Sequence, residues 1–502
     1  MILALLLLLQ WVTYSGDDRG TRHSALTGIT PANVRVLRGA WTFQSGVLGK
    51  WEATPLVVGD VVYTSGPDNH VWAIDARTGR SIWHYARSLP PGIKPCCGRV
   101  NRGLAAYHDK LLMISLDAHL VALDRTTGGV IYDVTVDDFR KGYTGTAAPL
   151  VVKDKVIVGI AGAEFGVRGF LDAYDADTGK RTWRFWTVPE RGQPGSETWA
   201  GRSWEHGGGP TWITGSYDRE LNLVYWGTGN PSPLYSGDGR QGDNLFTNCL
   251  IALDADTGTL RWHFQFTPHD LHDWDSNHVP ILAELPIGGA LRKVVMIANR
   301  NGFFYTLDRT NGALLMSRAF VTQTWAKIGP DGRPVALSGG EPSVTGTTTC
   351  PDLFGATNFM SPSFDPDARL FFVTAREACG IYFSREQAFV EGERYEGGRM
   401  QRTGESYGAV RAIDPLTGER KWEAKTERPA LAGVLSTASG LVFSGDMDGN
   451  VFALDARTGE RLWSYQMGAP VYSAAITYAI DGRQYVLIGA GATLTAFTLA
   501  ER

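Results

Sequence analysis

The chain has 502 residues, 43% of them hydrophobic and 20% charged, with a formal net charge of −4. That balance allows a large buried core and excludes an intrinsically disordered chain. There is no basic excess and no long run of one charge, so nucleic acid is not expected as a partner. The 60 glycines and 16 tryptophans imply many tight turns and many places to bury a large flat ring.

At the N-terminus, Met1 precedes the apolar run Ile2 to Leu9, which is too short to cross a bilayer. Residues 1–10 read as a residual or truncated export signal, although no Lys or Arg precedes the run and no small-residue cleavage site follows it. The alternative is a short buried strand. No segment is apolar and long enough to be expected as a membrane span. A short helix is expected near Pro31 to Leu37. The five cysteines are Cys96, Cys97, Cys249, Cys350 and Cys379, and no CxxCH occurs. A covalently attached c-type haem is therefore not expected.

A repeat organises residues 11–502 as one domain. An alternating strand ends in Asp, two residues follow, then Thr-Gly, and an aromatic comes four residues after the Gly. The first copy runs from Ala73 through Asp75 and Gly79 to Trp83. Others pair Asp124 with Tyr132, Asp175 with Trp183, Asp254 with Trp262, Asp308 with Met316, Asp414 with Trp422 and Asp455 with Trp463. The Asp caps a tight turn and the Gly permits positive φ. One hairpin cannot bury its own Trp, so the ring must dock on a neighbouring unit. Repeated around a circle, such docking gives an all-β propeller.

The Asp positions are spaced by 49, 51, 79, 54, 106 and 41 residues. The gap of 106 spans about two units, and Ser363 to Arg369 followed by Leu370 to Val373 reads as a degenerate copy. Seven clear copies and one hidden one predict an eight-bladed β-propeller. Insertions from Pro189 to about Gly209 and from Ser384 to Gly408 read as surface loops over one face. The repeat leaves function open, because propellers of this kind include non-catalytic scaffolds of outer-membrane assembly.

Five segments stand out from the repeat. Lys94 to Gly103 contains adjacent cysteines, which in an exported protein can close a strained eight-membered disulfide ring. Gly162 to Gly169 sets Glu164 among small residues. Trp226 to Pro231 puts Asn230 at a Gly-rich strand end. Pro268 to Asn277 holds three carboxylates and two imidazoles in the seven residues from His269 to Asp275. Asp273 and Asp275 are two apart and would share one face of a strand. Asn299 to Tyr305 places Arg300 before a hydrophobic strand. No His/Cys set has spacing that supports zinc. With Glu164 and Asn230 the donors are all oxygen, which favours a hard cation, calcium or a lanthanide.

In order and spacing these motifs resemble the pyrroloquinoline quinone (PQQ)-dependent methanol and ethanol dehydrogenases. The likeness covers nearly the whole chain, from Trp11 to Ala492. It implies a periplasmic alcohol dehydrogenase that passes electrons to a separate carrier, a soluble cytochrome c; relatives are often homodimers. It implies that Cys96 and Cys97 form a disulfide over one face of PQQ, with Trp212 under the other. Glu52, Arg102, Thr146, Gly162, Ala163, Arg300 and Asn358 would hold the cofactor. Glu164, Asn230 and Asp273 would bind the metal, and Asp273 would also act as general base. Asp275 matches an extra acid that marks lanthanide-dependent relatives and would join the metal's ligands, raising the coordination number, so a lanthanide is expected over calcium. Cys350 and Cys379 match a structural disulfide, which leaves Cys249 free. Three positions depart from the family: Ala161, Pro210 and the segment Pro429 to Val434. A sugar or polyol dehydrogenase on the same propeller is the competing reading.

Overall fold

The repeat behaves as its chemistry requires. In a computed structural model that describes residues 10–500, each Asp-x-x-Thr-Gly-type segment joins the last two strands of a sheet. At the first, Asp75 Oδ1 accepts from the N–H groups of Arg77 and Thr78, at 3.1 and 2.9 Å, and from the Thr78 hydroxyl at 2.8 Å. Gly79 follows with φ of 73°. A Cβ at Gly79 would come within 2.6 Å of the Trp41 ring. The turn therefore needs glycine both for its backbone and for the ring lying on it.

The rings dock from one sheet to the next. The indole N–H of Trp83 donates to the Arg125 carbonyl at 3.1 Å, Trp183 to Ala255 at 3.2 Å, Trp262 to Arg309 at 3.2 Å and Trp422 to Ala456 at 3.0 Å. Tyr132 makes the same contact through its hydroxyl, to Ala176 at 3.1 Å. Met316 packs its sulfur on Gly418. For the tryptophans and Tyr132 a large ring packs on the next sheet and its polar edge keeps a partner.

Among the described residues, eight sheets of four or five strands follow one another along the chain, beside a ribbon of Ala326–Ile328 and Pro334–Ala336. The eighth sheet combines Ile476–Ile480, Arg483–Ala490 and Thr493–Leu499 with Leu37–Gln44 from the other end of the chain. On that strand Trp41 donates to Ala76 of the first sheet at 3.1 Å, and Trp463 of the seventh donates to Leu37 at 3.1 Å. These contacts close the ring of a β-propeller.

The hidden repeat copy is a correction. Ser363–Asp365 pairs with the start of Leu370–Ser384 and belongs to the sheet that already carries Asp414 and Trp422. Asp365 caps its own hairpin, accepting from Asp367 and Ala368 at 2.9 and 3.0 Å, so its local chemistry imitates the repeat. The true eighth unit has no Asp-x-x-Thr-Gly turn because its last two strands lie at opposite ends of the chain. Ser384 to Gly408 is also not wholly a loop. Leu370–Ser384 and Gly398–Ile413 pair as a long hairpin, and only residues 385–397 form its tip. The short helix is a single 3-10 turn, Val34–Val36. The Pro189 to Gly209 insertion contains two such turns and no strand. Cys350 and Cys379 are joined and Cys249 is free and buried. The apolar run Ile2 to Leu9 lies outside the described residues.

Candidate active site

A cavity of about 500 Å³ is lined by thirteen of the fourteen residues singled out above. It brings together Glu52, Cys96, Cys97, Arg102, Thr146, Gly162, Glu164, Trp212, Asn230, Asp273, Asp275, Arg300 and Asn358. The exception is Ala163. It lies just behind the wall, where its carbonyl accepts from the Ser232 hydroxyl at 2.5 Å. The departures Ala161 and Pro210 also line the cavity.

The residues come from loops at sheet ends, each fixed by local hydrogen bonds. Cys96 and Cys97 are joined in a disulfide, and Cys97 Sγ lies 3.6 Å from Glu164 Oε1. Sulfurs in a disulfide are not thiolates, so this grouping is no soft-metal site. Glu52 pairs with Arg102 at 2.8 Å, and Arg102 also donates to Thr146 Oγ1 at 2.8 Å. The Arg102 guanidinium lies 4.8 Å from the Trp212 ring centre. Asp273 sits at φ of 64° in a turn built by Asp270. The Asp270 carboxylate accepts from the N–H groups of His272 and Trp274, at 2.9 and 2.8 Å. His272 turns away, bonded to the Gly340 carbonyl at 2.8 Å and stacked on Trp274. His269 contacts the Gly242 carbonyl, so neither imidazole of this segment lines the cavity.

Asp275 is the most constrained acid. Its Oδ1 accepts from Asn230 N at 2.7 Å, and its Oδ2 from Trp212 Nε1 at 2.9 Å and Arg300 Nη1 at 2.5 Å. Arg300 also faces Asp273 Oδ2 at 3.6 Å and donates to the Leu353 carbonyl. The guanidinium thus bridges the two aspartates.

Burial dominates the electrostatics. It pushes the Glu164 carboxyl up to about 7, with the Asp275 charge adding to the effect. It holds Asp273 well above the carboxylate range, opposed by Arg300 and reinforced by Asp275 and Glu164. Burial raises Asp275 too, against Arg300, the Asn230 N–H and the Trp212 N–H. Two buried carboxylates and a half-buried third, with one bridging cation, are costly to ionise together. This oxygen-rich set suits a hard metal ion, with Glu164, Asn230 and Asp273 as donors and Asp275 beside them. The buried Nε atoms of Arg102 and Arg300 have no protein partner, which suits an anionic, carbonyl-bearing cofactor.

Sequence reasoning missed part of the wall. Leu234, Tyr235, Leu353, Phe354 and Phe359 supply apolar surface, and Lys50, Arg394, Glu396, Arg399 and Met400 also line the cavity. Tyr235 follows Asn230 by five residues and could have been found from that spacing. Arg394 to Met400 reach the site only through the long hairpin and carry no local signal.

The comparisons agree with this geometry. The family described as "PQQ: Glucose/ethanol/alcohol dehydrogenase, beta-propeller domain" matches residues 11–319 and 405–486. The quinoprotein alcohol dehydrogenase PedH of Pseudomonas putida is 38% identical, over 96% of this chain and 86% of that protein. A lanthanide-dependent methanol dehydrogenase of Methylacidiphilum fumariolicum is 36% identical, over 96% of this chain and 84% of its own length. A solved europium-containing methanol dehydrogenase superposes with a TM-score of 0.95 and 34% identity, covering 99% of this chain and all of that one. Fold and site together define a propeller oxidoreductase rather than a scaffold. The chain belongs to the family of PQQ-dependent quinoprotein alcohol dehydrogenases, enzymes that act on alcohols.

Proposed function

We propose that this chain oxidises a primary alcohol to the aldehyde in the cavity above, with PQQ and a lanthanide ion bound there. The observation that carries the reading is the convergence of the vicinal disulfide, Trp212 and the Glu164–Asp273–Asp275 carboxylates on one cavity. The chemistry supplied on binding is a quinone carbonyl that accepts hydride, polarised by the metal ion. Trp212 and the Cys96–Cys97 disulfide offer flat, rigid surfaces for the cofactor. Glu52, Arg102, Thr146, Asn358 and the backbone at Gly162 would hold its polar edge, whereas Ala163, behind the wall with its carbonyl bonded to Ser232, would not touch it. Arg300 places positive charge where negative charge grows during hydride transfer.

Asp273 takes the alcohol's hydroxyl proton at Oδ1, while Oδ2 faces Arg300. Leu234, Tyr235 and Leu353 exclude water beside it. Asp275 adds a carboxylate that offsets the third charge of a lanthanide, which favours that ion over calcium. The names of the Methylacidiphilum and europium relatives support the same choice. Electrons then pass to a soluble cytochrome c in the periplasm, and a homodimer fits the family resemblance.

The test is dye reduction driven by methanol or ethanol, using purified apo-protein given PQQ with La³⁺, with Ca²⁺ or with neither. Turnover only with PQQ and La³⁺ is expected. Turnover with Ca²⁺ alone would keep the reaction and remove the lanthanide. Failure to bind PQQ under every condition would overturn the reading.

A further inference from the structure

The tip of the long hairpin, residues 385–397, lies between the two stretches that match the family, yet it is fastened to the site itself. Arg394 donates to the Cys96 carbonyl at 2.8 Å and pairs with Glu396. The Tyr395 N–H donates to the Glu164 carbonyl at 2.6 Å. The Glu396 carbonyl accepts from the Tyr235 N–H at 2.9 Å. Three consecutive residues thus grip the disulfide loop, the Glu164 loop and the loop that follows Asn230. Arg394 and Glu396 also line the cavity.

The outer fastenings of the tip are weaker in kind. Glu393 pairs with Lys94 at 3.2 Å and Glu391 with Lys141 at 3.5 Å, and all four side chains are largely exposed. Phe389 stacks on His206 of the other insertion, ring centres 3.5 Å apart. Exposed ion pairs are screened by salt, whereas the backbone hydrogen bonds of Tyr395 and Glu396 join neutral groups and respond little to it.

We infer that residues 394–396 form a clasp that keeps the bound cofactor in the cavity, with Arg394 as a positioning residue acting through the Cys96 carbonyl. The inference rests on the proposed cofactor site. The clasp closes one side of the rim by tying together three loops that otherwise belong to separate sheets. Cofactor leaves when the clasp lifts, and the Glu391 and Glu393 pairs make that lifting dependent on ionic strength.

The experiment measures PQQ release, by cofactor fluorescence, from metal-loaded wild type, Arg394→Ala and the double variant Glu391→Ala/Glu393→Ala. Release is followed at low salt and in 0.5 M NaCl. Losing one charge-assisted hydrogen bond is expected to speed release from Arg394→Ala roughly tenfold or more. Wild-type release is expected to quicken with salt, and the double variant to release faster at low salt with a flattened salt response. Melting of the apo-protein serves as the folding control, and Arg394 is half exposed. Equal release rates for wild type and Arg394→Ala would overturn the clasp and leave the cofactor site standing. If wild type binds no PQQ at all, the cofactor reading falls and the clasp falls with it.

Discussion

At the scale of single residues, Asp273 and Asp275 show how different two neighbouring acids become on folding. Asp275 spends both oxygens on Asn230, Trp212 and Arg300. Asp273 makes one ion pair, with Arg300 at 3.6 Å, and is the freer base. Asp273→Asn keeps the shape but removes the proton acceptor. Its turnover is expected to fall by about 10²–10⁴, with PQQ still bound. Dye-reduction kinetics read beside a PQQ titration check this, and unchanged turnover would move the proton elsewhere. The types of most site residues were legible in the sequence because glycine-rich loops and clustered acids are unusual next to the repeat. Their geometry was not: Arg300 read alone is a surface charge, and only the fold sets it between two buried aspartates.

At the scale of elements, neighbouring sheets are tied by charge as well as by docked rings. Arg87, just past the strand Ser81–Ala86, forks onto both oxygens of Asp117 in the next sheet, at 2.7 and 2.8 Å, and reaches Asp133 at 2.8 Å. Burial alone would raise the Asp117 carboxyl, but the bonds from Arg87 and Ser115 outweigh it and hold it below the ordinary 3.8. A depressed carboxylate stabilises the fold above its ordinary value and loses that contribution as pH falls through its folded value. Asp117→Asn is therefore expected to cost about 1.5–3 kcal/mol at neutral pH. The gap to wild type should shrink as pH drops below 3.8. Urea unfolding at several pH values measures it, and a gap independent of pH would mean the tie is not ionic. The same scale explains the misread copy at Ser363. An Asp-capped hairpin is a local solution that many turns share, so the motif marks a turn without saying which turn of a sheet it is.

At the scale of the whole molecule, closure decides the fold. Leu37–Gln44 joins the last sheet, and Trp41 locks it to the first through the Ala76 carbonyl. Trp41→Ala is expected to cost about 3–5 kcal/mol. Hydrogen exchange should then rise first in Leu37–Gln44 and in the strands from Ile476 to Leu499. Uniform loosening of all eight sheets would argue against a seam at this position.

The sequence by itself determined the repeating unit, its Trp docking and the residue types of the site, because each rests on short-range chemistry: a capped turn, a glycine φ, an adjacent cysteine pair. Only the tertiary structure decided which unit is split between the chain ends. Only it showed that the 384–408 insertion returns as a hairpin over the cavity, and that Arg394 to Glu396 reach three separate loops. Those facts depend on which distant segments meet around a closed ring, and no local pattern of residues encodes that meeting.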